Sequence, residues 1–226
     1  MEIRRIGVVG AGTMGSGIAQ VAAQSGFEVV LVDVSAAALA KGLGTIAKSL
    51  ERLVGKGKLT GDESVATLAR LVSGGDLAAL SGCDLVVEAV VERFEVKRQV
   101  LQALDPLLAP HAILATNTSS ISITRLAAVT ARPDRVIGMH FMNPVPLMQL
   151  VEIIRGLQTS QATCDAVFAT TRQLQRTPVE VNDAPGFVSN RVLMPMINEA
   201  IFCLHEQVGA PAAIDEVMKL GMNHPM

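Results

Sequence analysis

The chain has no tryptophan and no tyrosine, and its 226 residues include only six phenylalanines and three cysteines. Without Trp or Tyr there is no aromatic platform on which nucleic-acid bases could stack. Charge is nearly balanced, with 19 basic and 21 acidic residues and no long basic run, so a phosphate backbone finds no electrostatic footprint. No nucleic-acid partner is expected. Cys83, Cys164 and Cys203 are odd in number, far apart and outside any CxxC or Cys/His cluster. Neither a disulfide framework nor a metal site is indicated, and a reducing cytoplasm is the expected location. Charge is missing altogether between Ile6 and Phe27, just after Arg4 and Arg5, which superficially resembles a signal peptide or a membrane span. Six glycines and the polar Thr13, Ser16, Gln20, Gln24 and Ser25 argue against that reading, so no membrane association is expected.

What the chain has in abundance is aliphatic side chain. Half of its residues are hydrophobic and its mean hydropathy is +0.41, so the core must be built from Val, Leu, Ile, Met and Ala. The length corresponds to about 1.5 domains. Short apolar runs at residues 3–9, 29–32, 84–87, 112–115 and 135–139 alternate with helical stretches at 13–25, 36–54, 94–108 and 122–128. This alternation predicts right-handed βαβ units in an α/β, Rossmann-type doubly wound, mostly parallel sheet covered on both faces. Beyond Pro144, residues 147–154 read as extended, 161–176 as helix and 178–181 as extended again. From Phe187 onward Leu193, Ile197, Leu204 and Val208 fall at helical spacing, with Ala200 and Ile201 between them. One long helix with an apolar stripe is expected there, kinked at Pro195. The Asp183-Ala184-Pro185-Gly186 stretch reads as a boundary between a dinucleotide-binding domain over residues 1–182 and an all-α C-terminal domain over 183–226, of which only the first part is present.

Gly10-Ala11-Gly12-Thr13-Met14-Gly15 forms GxGxxG, directly after a predicted strand and at the start of a predicted helix, with Asp33 at the end of the second strand. The first glycine permits a tight turn, the second lets the backbone approach a pyrophosphate, and the third allows close helix–strand packing. The helix N-terminus supplies positive potential to the phosphates. A carboxylate at Asp33 can accept hydrogen bonds from both ribose hydroxyls of NAD and would repel the 2′-phosphate of NADP; Val34 and Ser35 follow it, not an arginine. NAD is therefore the expected cofactor. A second glycine pair, Gly42-Leu43-Gly44, lies inside a helical stretch with no strand before it and reads as coincidence.

The segment Gly138-Met139-His140-Phe141-Met142-Asn143-Pro144 is followed by Glu152, twelve residues after His140. If His140 ends a strand at the carboxyl edge of the sheet, its imidazole faces the nicotinamide, and Glu152 on the next extended segment can fold back against it. Oxidation of a secondary alcohol needs a base for the hydroxyl proton, and a carboxylate stabilises the imidazolium that results. The spacing alone leaves open a histidine that is merely satisfied in the core.

At these residues the sequence resembles the L-3-hydroxyacyl-CoA dehydrogenases, and within them the bacterial 3-hydroxybutyryl-CoA dehydrogenases. The matching stretches are GAGTMG from Gly10, VVEAVVE ending at Glu92, ATNTSS from Ala115 to Ser120, HFMNPVPLMQLVEI from His140 and DAPGFVSNR from Asp183 to Arg191. The resemblance implies NAD as cofactor and a short-chain acyl-CoA substrate, oxidised at C3 to the 3-oxoacyl-CoA. It implies that His140 is the catalytic base and Glu152 its orienting carboxylate. Ser119 resembles the serine that contacts substrate oxygen near the nicotinamide, with a helix-capping serine as the plainer alternative. Asn143 and Asn190 resemble two asparagines beside the site, Asn190 sharing the face of Leu193 on the long helix. Glu92 and Lys97 match positions beside the nicotinamide-side ribose and phosphates, and Ser49 and Lys56 match positions that contact coenzyme A; each could also be an ordinary solvated group. Members of the family continue through further helices that complete the second domain and carry much of the dimer contact. This chain ends at Met226, so a truncated chain is expected, and a homodimer in the full-length form. Two other functions stay open at this point: a related dehydrogenase of a free β-hydroxy acid or sugar acid, and an NAD-binding protein without catalysis.

Overall fold

The computed structural model of the chain describes residues 2–225. Its first part alternates strand and helix: β1 (Arg5–Val9), α1 (Thr13–Gln24), β2 (Glu28–Val32), α2 (Ala36–Gly55), α3 (Gly61–Ala69), β3 (Leu71–Gly74), β4 (Leu85–Glu88), α4 (Phe94–Leu104), β5 (Ile113–Thr116), α5 (Ile123–Ala127), β6 (Val136–Phe141), β7 (Leu150–Arg155), α6 (Gln161–Gln173) and β8 (Thr177–Asn182). The eight strands form one sheet in the order β3-β2-β1-β4-β5-β6-β7-β8. β1 to β6 run parallel, β7 turns back antiparallel to β6, and β8 runs parallel to β7. Strand order reverses between β1 and β4, the switch point at which doubly wound sheets bind their ligands.

The apolar runs become central strands because both faces are covered. Val8, Leu31, Leu85, Leu114 and Val136 are fully buried, which explains why these strands read as continuous apolar runs and not as alternating ones. Two elements of this first part have no counterpart in the sequence reading, and α8 (Pro211–Glu216) in the last part has none either. β3 is an edge strand whose Val72 and Ser73 are exposed, so it lacks the apolar signature. α3 opens on a capping box in which Thr60 accepts from the Glu63 N–H while Glu63 accepts from the Thr60 N–H. That Thr-x-x-Glu spacing is a signal for a helix start. Pro178 sits in β8, the opposite edge strand, where a missing backbone donor is tolerated.

Gly42-Leu43-Gly44 lies inside α2 and is no second dinucleotide turn, but Gly42 has a packing role of its own. A Cβ there would stand 2.7 Å from the Ala11 carbonyl oxygen and 2.8 Å from Ser16 Oγ, so only glycine lets α2 lie this close to the glycine turn and α1. Gly44, which faces open space, carries no such demand.

The chain divides into two compact units, the first ending at Ala184 and the second starting at Pro185. The second unit is helical, with α7 (Ser189–His205) and α8 (Pro211–Glu216). α7 runs on through Pro195, and none of its residues is buried. Among the described residues no helix is long and apolar enough to cross a membrane.

Candidate active site

Parallel strands bring their carboxyl ends to one rim, and hydrogen bonds tie that rim together. The Gly10 N–H donates to the Val32 carbonyl at 2.8 Å, Ala89 N–H to Val9 at 2.8 Å, and Asn117 N–H to Glu88 at 2.8 Å. The Asn117 side-chain oxygen then accepts the Phe141 N–H at 2.9 Å, carrying the connection across to β6.

On this rim the glycine turn leads from β1 into α1. Gly10 takes φ +101°, and a Cβ on Gly15 would fall 1.7 Å from the Gly10 carbonyl oxygen, so both positions exclude other residues. Gly12 faces open space. No side chain caps the α1 N-terminus and no acidic residue lies in its first turn, so its positive end is suited to receive an anion. Asp33, half-buried at the end of β2, accepts from Ala11 N–H through Oδ2 at 2.8 Å and from Ser35 N–H through Oδ1 at 2.9 Å. Its carboxylate is thereby oriented against the glycine turn with lone pairs left over for hydroxyl donors. An open glycine, an uncapped helix end and a fixed carboxylate fit the pyrophosphate and ribose of NAD.

The β6–β7 register places His140 directly opposite Glu152. His140 Nδ1 lies 2.8 Å from Glu152 Oε2, and the two residues are only 6% and 2% exposed. With Nδ1–H donating to the carboxylate, the neutral ring carries its lone pair on Nε2. A buried acid–imidazole contact of this kind fixes tautomer and ring orientation together.

Ser119 lies half-buried in the turn after β5, and Glu92 organises that turn. One Glu92 oxygen accepts from the Thr118 hydroxyl, from Ser119 N–H at 2.9 Å, and from Ser120 through both its N–H at 3.2 Å and its hydroxyl at 3.1 Å. Its other oxygen is 3.3 Å from Lys97 Nζ. Burial alone would push the Glu92 carboxyl up, but the Thr118 hydroxyl, the Lys97 cation and the Ser119 N–H together hold it below its ordinary value.

Lys97 is not a solvated charge: it is 1% exposed and bonds both oxygens of Glu88, at 2.9 and 3.0 Å. Glu88 is itself fully buried and also accepts from Val90 N–H and the Thr116 hydroxyl, both at 2.7 Å. Those bonds offset the cost of taking two charges out of water. Glu88 escaped the sequence reading, although a carboxylate inside an otherwise apolar strand signals a buried partner.

Ser49 lines a cleft of about 270 Å³ that it shares with Thr13, Gln20, Lys48, Arg52 and Asn143. Lys56 does not reach that cleft; it is exposed at the C-terminal cap of α2. The cations on the cleft wall are Lys48 and Arg52, four residues apart on α2 and so on one helix face. That i, i+4 spacing is legible in the sequence. Asn190 sits half-buried in the first turn of α7, in the second unit. Among the described residues no three His, Cys, Asp or Glu side chains gather as a metal site.

A dinucleotide cradle and a carboxylate-backed imidazole on the same sheet rim define an NAD-dependent dehydrogenase, an enzyme that must move a proton alongside each hydride. Residues 5–184 match the family model of the 3-hydroxyacyl-CoA dehydrogenase NAD binding domain, and residues 186–226 that of the C-terminal domain. The chain belongs to the 3-hydroxyacyl-CoA dehydrogenase family. It is 55% identical to the probable 3-hydroxybutyryl-CoA dehydrogenase of Bacillus subtilis, over all of this chain and 79% of that protein. It is 53% identical to the 3-hydroxybutyryl-CoA dehydrogenase of Bradyrhizobium diazoefficiens, over 99% of this chain and 76% of that one. The crystal structure of (S)-3-hydroxybutyryl-CoA dehydrogenase from Ralstonia eutropha superposes with a TM-score of 0.97 at 53% identity, covering 99% of this chain and 79% of that chain. Family membership decides for a CoA thioester substrate over the free hydroxy acid, and for an enzyme over a non-catalytic binding protein.

Proposed function

We propose that the chain interconverts (S)-3-hydroxybutyryl-CoA and acetoacetyl-CoA, with residues 1–182 holding NAD and 183–226 contributing substrate and dimer contacts. The observation that carries the chemistry is the buried 2.8 Å contact between His140 and Glu152 at the rim of the sheet. Bound NAD supplies the hydride acceptor for C3 in oxidation, and NADH the donor in reduction. The backbone from Gly10 to Gly15, through Ala11, Gly12, Thr13 and Met14, cradles its phosphates, and Asp33 accepts from its adenosine ribose. Glu92, Lys97 and Asn143 border its nicotinamide half.

In oxidation His140 Nε2 takes the C3 hydroxyl proton, and in reduction the imidazolium returns it to the ketone. Glu152 keeps the lone pair on Nε2 and stabilises the imidazolium, so it acts through His140 as a positioning residue. Ser119 and Asn190 donate to the substrate oxygen, while Ser49 and Lys56 meet coenzyme A. A homodimer in the full-length form and a cytoplasmic location complete the proposal. His140→Gln is expected to lower kcat by about 10²–10⁴-fold, with the NADH dissociation constant nearly unchanged. Glu152→Gln is expected to lower kcat too and to displace the pH profile, since the histidine loses its carboxylate. Near-wild-type turnover in either variant would overturn the dyad.

A further inference from the structure

The segment from Thr118 to Arg125 has an unusual economy of hydrogen bonding. Side chains, not neighbouring strands, take up nearly all of its backbone donors. Thr116 accepts from Thr118 N–H, Glu92 from Ser119 and Ser120, and the Thr118 hydroxyl from Ile121. Beyond Ile121 the acceptor changes to Asp183, whose two oxygens take the Ser122 hydroxyl at 2.7 Å, Ile123 N–H at 3.0 Å and Thr124 N–H at 2.8 Å. Ser122 in turn accepts from Arg125 N–H and completes the cap of α5. Two carboxylates therefore grip one turn from its two ends, Glu92 beside Ser119 and Asp183 beside Ser122. Glu92 comes from the loop between β4 and α4. Asp183 comes from the last residues of the first unit, immediately before the chain passes into the second at Pro185.

We infer that Asp183 is a positioning residue for the reaction: by holding Ser122, Ile123 and Thr124 it fixes the far end of the turn whose near end carries Ser119. This rests on the reading of Ser119 as a donor to the substrate oxygen. Geometry at that oxygen is where a small displacement costs most, because an error of about 1 Å in placement can cost about a hundredfold in rate. A plain capping role for Asp183 would leave the substrate step untouched once the protein is folded. A positioning role ties its effect to Ser119.

The test is a set of steady-state measurements with acetoacetyl-CoA and NADH on Asp183→Asn, Ser119→Ala and the double variant, with NADH binding and thermal unfolding in parallel. An asparagine presents one acceptor oxygen and an amide that faces donors, so it cannot keep all three bonds. Asp183→Asn is expected to lower kcat/KM for acetoacetyl-CoA by about ten- to a hundredfold, mostly in kcat, with the NADH dissociation constant within about twofold. In the Ser119→Ala background the same substitution is expected to cost far less, because the two residues act through one geometry. Ser122→Ala, which leaves the Asp183 carboxylate and its two backbone donors in place, is expected to give a smaller loss of the same kind and serves if Asp183→Asn does not fold. Full activity in Asp183→Asn or Ser122→Ala while Ser119→Ala is impaired would overturn the role of Asp183 alone, as would an equal cost of Asp183→Asn in both backgrounds. Full activity in Ser119→Ala would overturn the reading of Ser119 and this inference with it.

Discussion

Glu92 concentrates four donors on one oxygen and a lysine on the other, and Asp183 does the same on a smaller scale. For Asp183 too, burial raises the carboxyl, and bonds from Thr124, Ser122 and Ile123 more than reverse it, leaving it below its ordinary value. A carboxyl with a depressed folded-state pKa stabilises the fold above its unfolded pKa, about 4, and that stabilisation is lost as pH falls through the folded value. The melting temperature is therefore expected to drop as the protein is acidified from about pH 5 toward pH 3, and to drop less steeply in Glu92→Gln. A variant that melts along the wild-type curve would contradict the pairing. Much of this chemistry was readable one residue at a time: His140 and Glu152 stand at a spacing that an antiparallel turn can close, and Asp33 stands at a strand end. Glu88 was not found because its meaning depends on Lys97 from the following helix. Lys48 and Arg52 became visible as a pair on the wall of the cleft that holds Ser49 only once α2 was placed.

Between single residues and the whole fold, the elements were legible wherever burial made their pattern uniform. The five central apolar runs became β1, β2, β4, β5 and β6 with ends shifted by a residue or two. β3 was hidden because an edge strand with one exposed stretch shows neither a continuous apolar run nor a clean alternation. α7 shows its stripe as the spacing predicted, and Leu193, Ile197, Ile201 and Leu204 on it are all between 43% and 59% exposed. An apolar helix face of this kind needs a covering partner, and a homodimer is proposed for the full-length form. Light scattering on the full-length protein is expected to give twice its chain mass. A monomer that persists at high concentration would contradict the homodimer.

At the scale of the molecule, a doubly wound sheet does two things for one reaction. Parallel strands bring the glycine turn, Asp33, Glu88, the Ser119 turn and His140 to a single rim, and the one antiparallel return, β7, supplies Glu152 in register with His140. The fold class followed from the strand–helix alternation, but the return strand could be placed only by its pairing, since an extended segment carries no mark of its direction. The most direct measurement is NADH consumption with acetoacetyl-CoA and, separately, with free acetoacetate at the same concentration. Acetoacetyl-CoA is expected to turn over with kcat/KM of about 10⁴ M⁻¹s⁻¹ or more, and free acetoacetate far more slowly. Equal or faster turnover of the free acid, or NADH binding with no turnover of either compound, would contradict the proposed function.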